Sequence, residues 1–530
     1  MGITRRDFLT RVGQAGGFSA AVVTMQALGL MPMKEVEAEQ VKATTGAGKG
    51  VSIVVLGGGV AGLVTAYEAR KLGYNVTVLE ARHRPGGRAY SARGGDVLEF
   101  VDGTKQNINW APGLYWNMGP ARIPSVHGTI LHYVRELKVP MEVCVNTSRS
   151  TLLQNDKVNG GKPYTQRKVI NDTRGEVAEL LTKALNGGAL DSELTKQDRE
   201  RLADIMHLWG PLDGKNKYTG SDRADVTQYP GAGPQEMIVN REPIPMHALL
   251  DGNFWNAELY EEQWDWQATM MQPVNGMQQI SNALAKSLGP IVNFNSPVSE
   301  ITKTGKGVKV VYEKAGVKHT IEADYCVCAM PLTILNKIKA DLSPEVKATV
   351  SRAADSYRGS YKVPWEAPTR FWEKDFNIYG GLSFLAKGPQ PIWYPSNNLF
   401  AEGPSMICAG YQDEAIDGFN KLSMDEKFES SRQSIEKMHP GYGKLVSKPV
   451  FCGWKHVKWN EGSWIGAISK ADYATITQND GPIYFAGDHT SHVVGWQEGA
   501  AGSGRRAIQM ISDHVKAARL GGKHSDTVSA

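Results

Sequence analysis

The sequence predicts an α/β fold, and three observations carry that expectation. A strand, glycine turn, helix and second strand follow one another over residues 51–80. A second strand-to-helix unit, carrying a glycine and an acid, occupies residues 482–501. Between them, strand patterns alternate with one long stretch of helical periodicity.

The first unit opens on Val51-Ser52-Ile53-Val54-Val55-Leu56, a short apolar run rich in β-branched residues, which reads as a buried parallel strand. Gly57, Gly59 and Gly62 follow at G-x-G-x-x-G spacing, with Ala61 inside the turn. Val60, Leu63, Val64, Tyr67 and Leu72 then recur at helical spacing until Gly73, and Asn75–Glu80 reads as a second strand. One glycine permits the tight turn, one lets the backbone approach a pyrophosphate, and one lets helix and strand pack closely. Amides at the helix N-terminus then face phosphate. Glu80, 23 residues after Gly57, is suited to accept from ribose hydroxyls and would repel a 2′-phosphate. Dinucleotide binding follows.

Glu80-Ala81-Arg82-His83-Arg84-Pro85-Gly86-Gly87-Arg88 resembles the acid-to-Gly-Gly-Arg extension of the flavin monoamine oxidase family. Arg88 can offer charge-assisted hydrogen bonds to a cofactor. The carboxyl-terminal unit resembles the same family. Tyr484-Phe485-Ala486-Gly487-Asp488 ends a strand on an acid that in the family contacts the ribityl chain. Gly495-Trp496-Gln497-Glu498-Gly499-Ala500 starts a helix under the flavin ring. Val298, before a β-meander (Val308–Tyr312, His319–Ala323), matches the residue whose backbone meets the adenine end. The resemblance covers about Val51 to Ile511. It implies a Rossmann-like FAD-binding domain of the glutathione-reductase type, a mixed-sheet substrate domain and an inserted helical domain, with a homodimeric assembly.

Asn117-Met118-Gly119-Pro120-Ala121-Arg122-Ile123-Pro124 is similar to the loop found in the L-amino acid oxidases of that family. The resemblance implies that Met118, Gly119, Pro120, Ala121 and Arg122 approach the cofactor, and that Arg122 grips a substrate carboxylate. Prolines on both sides fix its backbone, and a planar guanidinium suits a planar anion. A helix is expected from Ser125 to about Leu137. Ile392-Trp393-Tyr394-Pro395 resembles the segment that adds a tyrosine hydroxyl to the same carboxylate; Tyr394 takes that role, and a one-residue shift would exchange it for Trp393. Lys362 resembles the family lysine that holds a water near flavin N5. Trp496 and Gly495 would wall the substrate pocket. In the monoamine oxidases a covalently linked cysteine follows a Gly-Gly pair; Ala467 in Glu461–Ala467 takes that place here, so the FAD is expected to be non-covalent.

The resemblance thus implies oxidation of L-amino acids to imino acids by hydride transfer from Cα to flavin N5. Hydrolysis gives 2-oxo acid and ammonia, and oxygen gives hydrogen peroxide. The alternatives are a primary-amine or polyamine oxidase, an amino-acid 2-monooxygenase, and a flavoprotein without turnover. The twelve histidines show no His-Glu-x-x-His spacing, so no metal is expected. His489 and His492 lie beside the second motif, where they could tune the site or serve structure.

The 530 residues exceed one domain, and a net charge of +4 with no basic block gives no case for nucleic acid. Thr4-Arg5-Arg6-Asp7-Phe8-Leu9 fits a twin-arginine signal. The apolar run Gly16–Leu30 that follows is too short for a comfortable membrane span, and cleavage after Ala38 would leave a periplasmic or secreted protein. Five cysteines, odd in number, do not support a disulfide framework; Cys326 and Cys328 alternate on a strand and share a face. The expected division is signal and linker 1–45, FAD-binding parts 46–100, 266–345 and 453–515, substrate parts 101–160 and 346–452, a helical domain 161–265 and a flexible tail 516–530. Helical periodicity fills 166–264, with a long loop at 210–232.

Overall fold

The computed structural model of the protein describes residues 41–525; the twin-arginine segment lies outside them. Its centre is a five-stranded sheet in the order Val292–Asn293, Asn75–Leu79, Ser52–Leu56, Tyr325–Cys328, Ile483–Phe485, parallel throughout. The strands come from three separate stretches of chain. Ile53 and Val55 point into one core, and Val54 and Leu56 into another, so both faces are buried and the strand has no polar side to show. Cys326 and Cys328 lie in the same core layer, and all five cysteines are buried and free. Leu56 is in register with Leu79 and with Cys328, and Cys328 with Phe485. The carboxyl ends therefore align, and Gly57, Glu80, Ala329 and Ala486 emerge side by side where ligands of open α/β sheets bind.

Helix Val60–Lys71 leaves the first strand through the glycine turn, and the long helix Gln497–Ser525 packs against it. A Cβ at Gly62 would run into the Gly57 carbonyl oxygen, so only glycine lets this turn close. The long helix continues through the stretch expected as a flexible tail as far as Ser525. Arg519 pins it there by donating to the Ala47 and Lys49 carbonyls at 2.8 and 2.7 Å.

A seven-stranded mixed sheet forms the second layer, in the order Tyr164–Thr165, Leu152–Gln154, Gly381–Leu385, Ile392–Tyr394, Ser405–Asp413, Ser360–Ala367, Cys452–Gly453. The inserted region carries helices Gln166–Asn186 and Lys196–Trp209. It also carries a small hairpin, Val226–Gln228 with Val239–Asn240, whose first strand falls inside the stretch expected as loop. Among the described residues, no helix is long and apolar enough to cross a membrane.

Candidate active site

The aligned strand ends open into a cavity of about 1350 Å³, counting the space at its mouth that is open to solvent. Gly57, Gly59, Ala61, Glu80, Ala81, Arg82, Gly87 and Arg88 line one end. Gly487, Asp488, Gly495, Trp496 and Ala500 line it from the other unit, and Met118, Gly119, Pro120 and Val298 from between. Two of the expected cofactor residues sit behind the lining and act through packing. Gly62 closes the first turn, and a Cβ at Gly499 would strike the Val493 carbonyl and the Ser491 hydroxyl. Ala121 and Arg122 lie just beyond the cavity wall.

The two distant motifs are joined by a pair of charges. Arg88 donates to both carboxylate oxygens of Asp488 and to the Ser463 carbonyl. Burial is the largest influence and pushes the Asp488 carboxyl up, but its neighbours, Arg88 foremost, together outweigh it and hold the group below its usual range. Asp488 also accepts from the Gly495 N–H at 3.0 Å, which sets the turn before Trp496. Glu80 accepts from the Gly58 and Arg82 N–H groups at 2.6 and 2.8 Å, leaving lone pairs facing the cavity.

These residues fit a flavin dinucleotide. Gly59 precedes helix Val60–Lys71 with no side-chain cap, so its first amides are left for a ligand. Both ring nitrogens of His489 and both amide atoms of Gln497 are buried at the cavity without a partner, although buried polar groups are nearly always bonded. Burial lowers His489 to about 4, so it meets the cavity as a neutral imidazole. His492 is exposed against Tyr473 and stays outside the lining. Ala467 is exposed and off the cavity; Ser463 and Trp464 of that segment line it instead. Among the described residues no cysteine lines the cavity.

Beyond Trp496 the chain packs a cluster of aromatic rings around Arg122. Asn117 ends a short strand, and Ile123–Pro124 pairs with Met270–Pro273, so the Arg122 loop is held at both ends. The helix after it begins at Gly128, three residues later than expected. Pro124 is taken by the strand, and the Glu498 carboxylate caps the helix by accepting from the Thr129 and Ile130 N–H groups at 2.9 and 2.8 Å. That bond also ties the Arg122 loop to the segment carrying Trp496.

Arg122 is 4 % exposed. Its guanidinium carbon lies 4.4 Å from the Trp266 ring and 4.8 Å from the Trp393 ring. Nη2 donates to the Tyr260 hydroxyl at 2.8 Å, while Nε and Nη1 are buried without an acceptor. Burial pushes the nearby Asp265 carboxyl up, against the pull of the Arg122 charge, which lowers it. A buried cation with unmatched donors calls for an anion.

Tyr394 does not supply the second contact. It is fully buried in the opposite layer, where its hydroxyl bonds Ser383 at 2.9 Å and His439 at 2.7 Å. Successive strand residues face opposite sides, so Trp393, its neighbour, is the one turned toward Arg122. Tyr260, Trp266, His127 and Tyr411 were not singled out from the sequence, yet Tyr260 and Trp266 contact Arg122, His127 packs on Trp496 at 4.8 Å, and Tyr411 lines the cavity. Tyr260, Trp264 and Trp266, three aromatics within seven residues of an otherwise polar stretch, were the available signal.

Lys362 is 1 % exposed on strand Ser360–Ala367. Its Nζ donates to the Asn117 carbonyl at 2.8 Å and the Gly119 carbonyl at 2.6 Å, and lies 4.7 Å from the Tyr411 ring. Burial first, and Arg122 after it, lower its pKa from 10.5 to about 7. Between about 7 and 10.5 the unfolded chain therefore binds a proton that the folded chain does not, and stability rises with pH across that window. Lys362→Met is expected to gain stability over the wild type at pH 7 and lose that gain by pH 10; urea unfolding at the two pH values checks this. Glu68, His132 and Glu136 form the one metal-like cluster among the described residues, and the Lys71 ammonium already pairs with both glutamates.

Known proteins resemble this chain over most of its length. The flavin-dependent L-tryptophan oxidase RebO of Lentzea aerocolonigenes is 24% identical over 488 residues, spanning 87% of this chain and 97% of its own. The L-amino-acid oxidase of Daboia russelii is 24% identical over 478 residues, spanning 87% and 88%. Cyclohexylamine oxidase from Brevibacterium oxydans shares the fold with a TM-score of 0.57 at 17% identity, over 88% of this chain and 99% of its own. The model of flavin containing amine oxidoreductases matches residues 60–511, and the chain belongs to that family.

Proposed function

We propose that the protein is an FAD-dependent L-amino acid oxidase, forming 2-oxo acids, ammonia and hydrogen peroxide. The observation that carries this is Arg122: a buried guanidinium beside the cofactor cavity with two donors unmatched. A carboxylate satisfies it; a simple amine leaves it as it stands, which disfavours the primary-amine or polyamine reading. Relatives named as L-amino-acid and L-tryptophan oxidases support the same substrate class.

Glu80, Arg88 and Asp488 would hold the FAD, with His489 and Gln497 offering it polar contacts. A cavity without cysteine suits non-covalent attachment. When bound, the flavin supplies the two-electron oxidant and, with dioxygen, the route to peroxide. The chain's own part is orientation. Arg122 takes the α-carboxylate and so sets which bond of the α-carbon is presented toward Trp496 and the cavity, a proximity effect. Lys362 Nζ spends two N–H bonds on the Asn117 and Gly119 carbonyls and, near pH 7, carries or releases its remaining proton beside Tyr411. The aromatic walls of Trp266, Trp393 and Trp496 exclude water from the Arg122 contact.

Product analysis tests the assignment against the 2-monooxygenase alternative. One 2-oxo acid, one ammonia and one peroxide per oxygen consumed are expected. An amide with carbon dioxide would overturn it.

A further inference from the structure

Segment 259–267 comes from the inserted region, yet it completes the ring of aromatics around Arg122. It runs directly into strand Met270–Pro273, whose pairing with Ile123–Pro124 brings it to the arginine loop, and Ser125 N–H donates to the Thr269 carbonyl at 3.1 Å. Within it, the Trp266 ring lies 4.4 Å from the Arg122 guanidinium carbon and 5.7 Å from the Trp496 ring. Tyr260 packs on Trp266 at 4.8 Å and on Phe384 at 5.2 Å, which fixes its ring.

The hydroxyl of Tyr260 accepts from Arg122 Nη2. An accepting phenol still has its own proton, and among the described residues no acceptor takes it. Burial keeps the group a neutral phenol, with its pKa pushed up to about 12, so the proton is present at any working pH. Arg122 Nε and Nη1 lack acceptors at the same place. An anion seated on the guanidinium therefore meets one further donor, already held in position by the cation it binds.

Granted the L-amino acid reading, on which this rests, we propose that Tyr260 is a substrate-binding residue that donates its hydroxyl proton to the α-carboxylate held by Arg122. The clamp is thus built from a loop and the inserted region, and strand residue Tyr394 has no part in it. A hydrogen bond to a charged group is worth about ten- to a hundred-fold in binding.

The test uses FAD-loaded enzyme and Tyr260→Phe, which keeps the ring and removes only the hydroxyl. KM for L-amino acids rises about ten- to a hundred-fold, with the loss falling mainly on KM. Benzoate, read by its perturbation of the flavin absorbance, binds weaker by a similar factor. The flavin spectrum and thermal midpoint stay as in the wild type, separating a lost contact from a damaged fold. Benzoate binding that is unchanged or tighter, or KM within twofold of wild type, overturns the assignment to Tyr260 while leaving the amino-acid reading intact. A wild-type flavin that no L-amino acid reduces overturns that reading and this one with it.

Discussion

Arg122→Ala is expected to lower kcat/KM for L-amino acids by roughly a hundred- to a thousand-fold. The estimate follows from what the residue is: a charged partner, buried at 4 % exposure and ringed by Trp266, Trp393 and Tyr260, with no acceptor for Nε or Nη1. Truncating one side of a buried, hydrogen-bonded charge pair costs about 2–5 kcal/mol, much of it the penalty on the charge left alone. On the proposed function the abandoned charge is the substrate's carboxylate. Both KM and kcat suffer, because the clamp binds the substrate and also sets its angle. Arg122→Lys recovers only part of the loss. A lysine brings the charge, but neither the second parallel hydrogen bond nor a plane to pack against the indoles. Steady-state kinetics on both variants, with flavin content measured on each, checks the prediction; amino-acid turnover intact in Arg122→Ala would refute it.

The second large effect is expected at the joint between the two motifs. Asp488→Ala leaves Arg88 without its counter-charge and Gly495 N–H without its acceptor. Asp488 is almost wholly buried and the Arg88 side chain is 23% exposed, so the loss sits at the low end of the range for broken buried pairs, about 3 kcal/mol. On the proposal that the FAD has no covalent tether, the variant is expected to be recovered as apoprotein after dialysis. The double variant Arg88→Met/Asp488→Leu separates two roles. It removes both charges, so urea stability returns toward the wild type, while flavin retention does not. Recovery of flavin in the double variant would show that the pair is structural alone.

The glycine motifs were legible because each is a local rule. A buried strand, three glycines and a terminal acid dictate a turn that does not depend on the rest of the chain, and the register of Leu56, Leu79 and Cys328 then brings Gly57 and Glu80 together. Arg122 was legible for a similar reason, since two prolines fix its surroundings. Tyr394 was not. On a strand the side-chain period is two, so an error of one residue turns the whole choice to the opposite face, and Trp393 took the site. Ala467 is a different case: it lies outside any strand, exposed, and the cavity meets Ser463 and Trp464, four and three positions earlier. Tyr260 and Trp266 reach Arg122 only through the pairing of Met270–Pro273 with Ile123–Pro124, a contact that no periodicity in residues 259–267 announces. Helix Gly128–Glu136 started late because its cap, Glu498, lies 369 positions from Thr129.

On the proposed function, this flavin site oxidises the α-carbon of an L-amino acid held by its carboxylate. Anaerobic mixing of the FAD-loaded protein with single L-amino acids, followed at the flavin absorbance band, tests it most directly. Bleaching is expected with at least one L-amino acid, and not with its D-enantiomer or with the amine that lacks the carboxylate. Bleaching by the amine as readily as by the amino acid would contradict the carboxylate-held substrate.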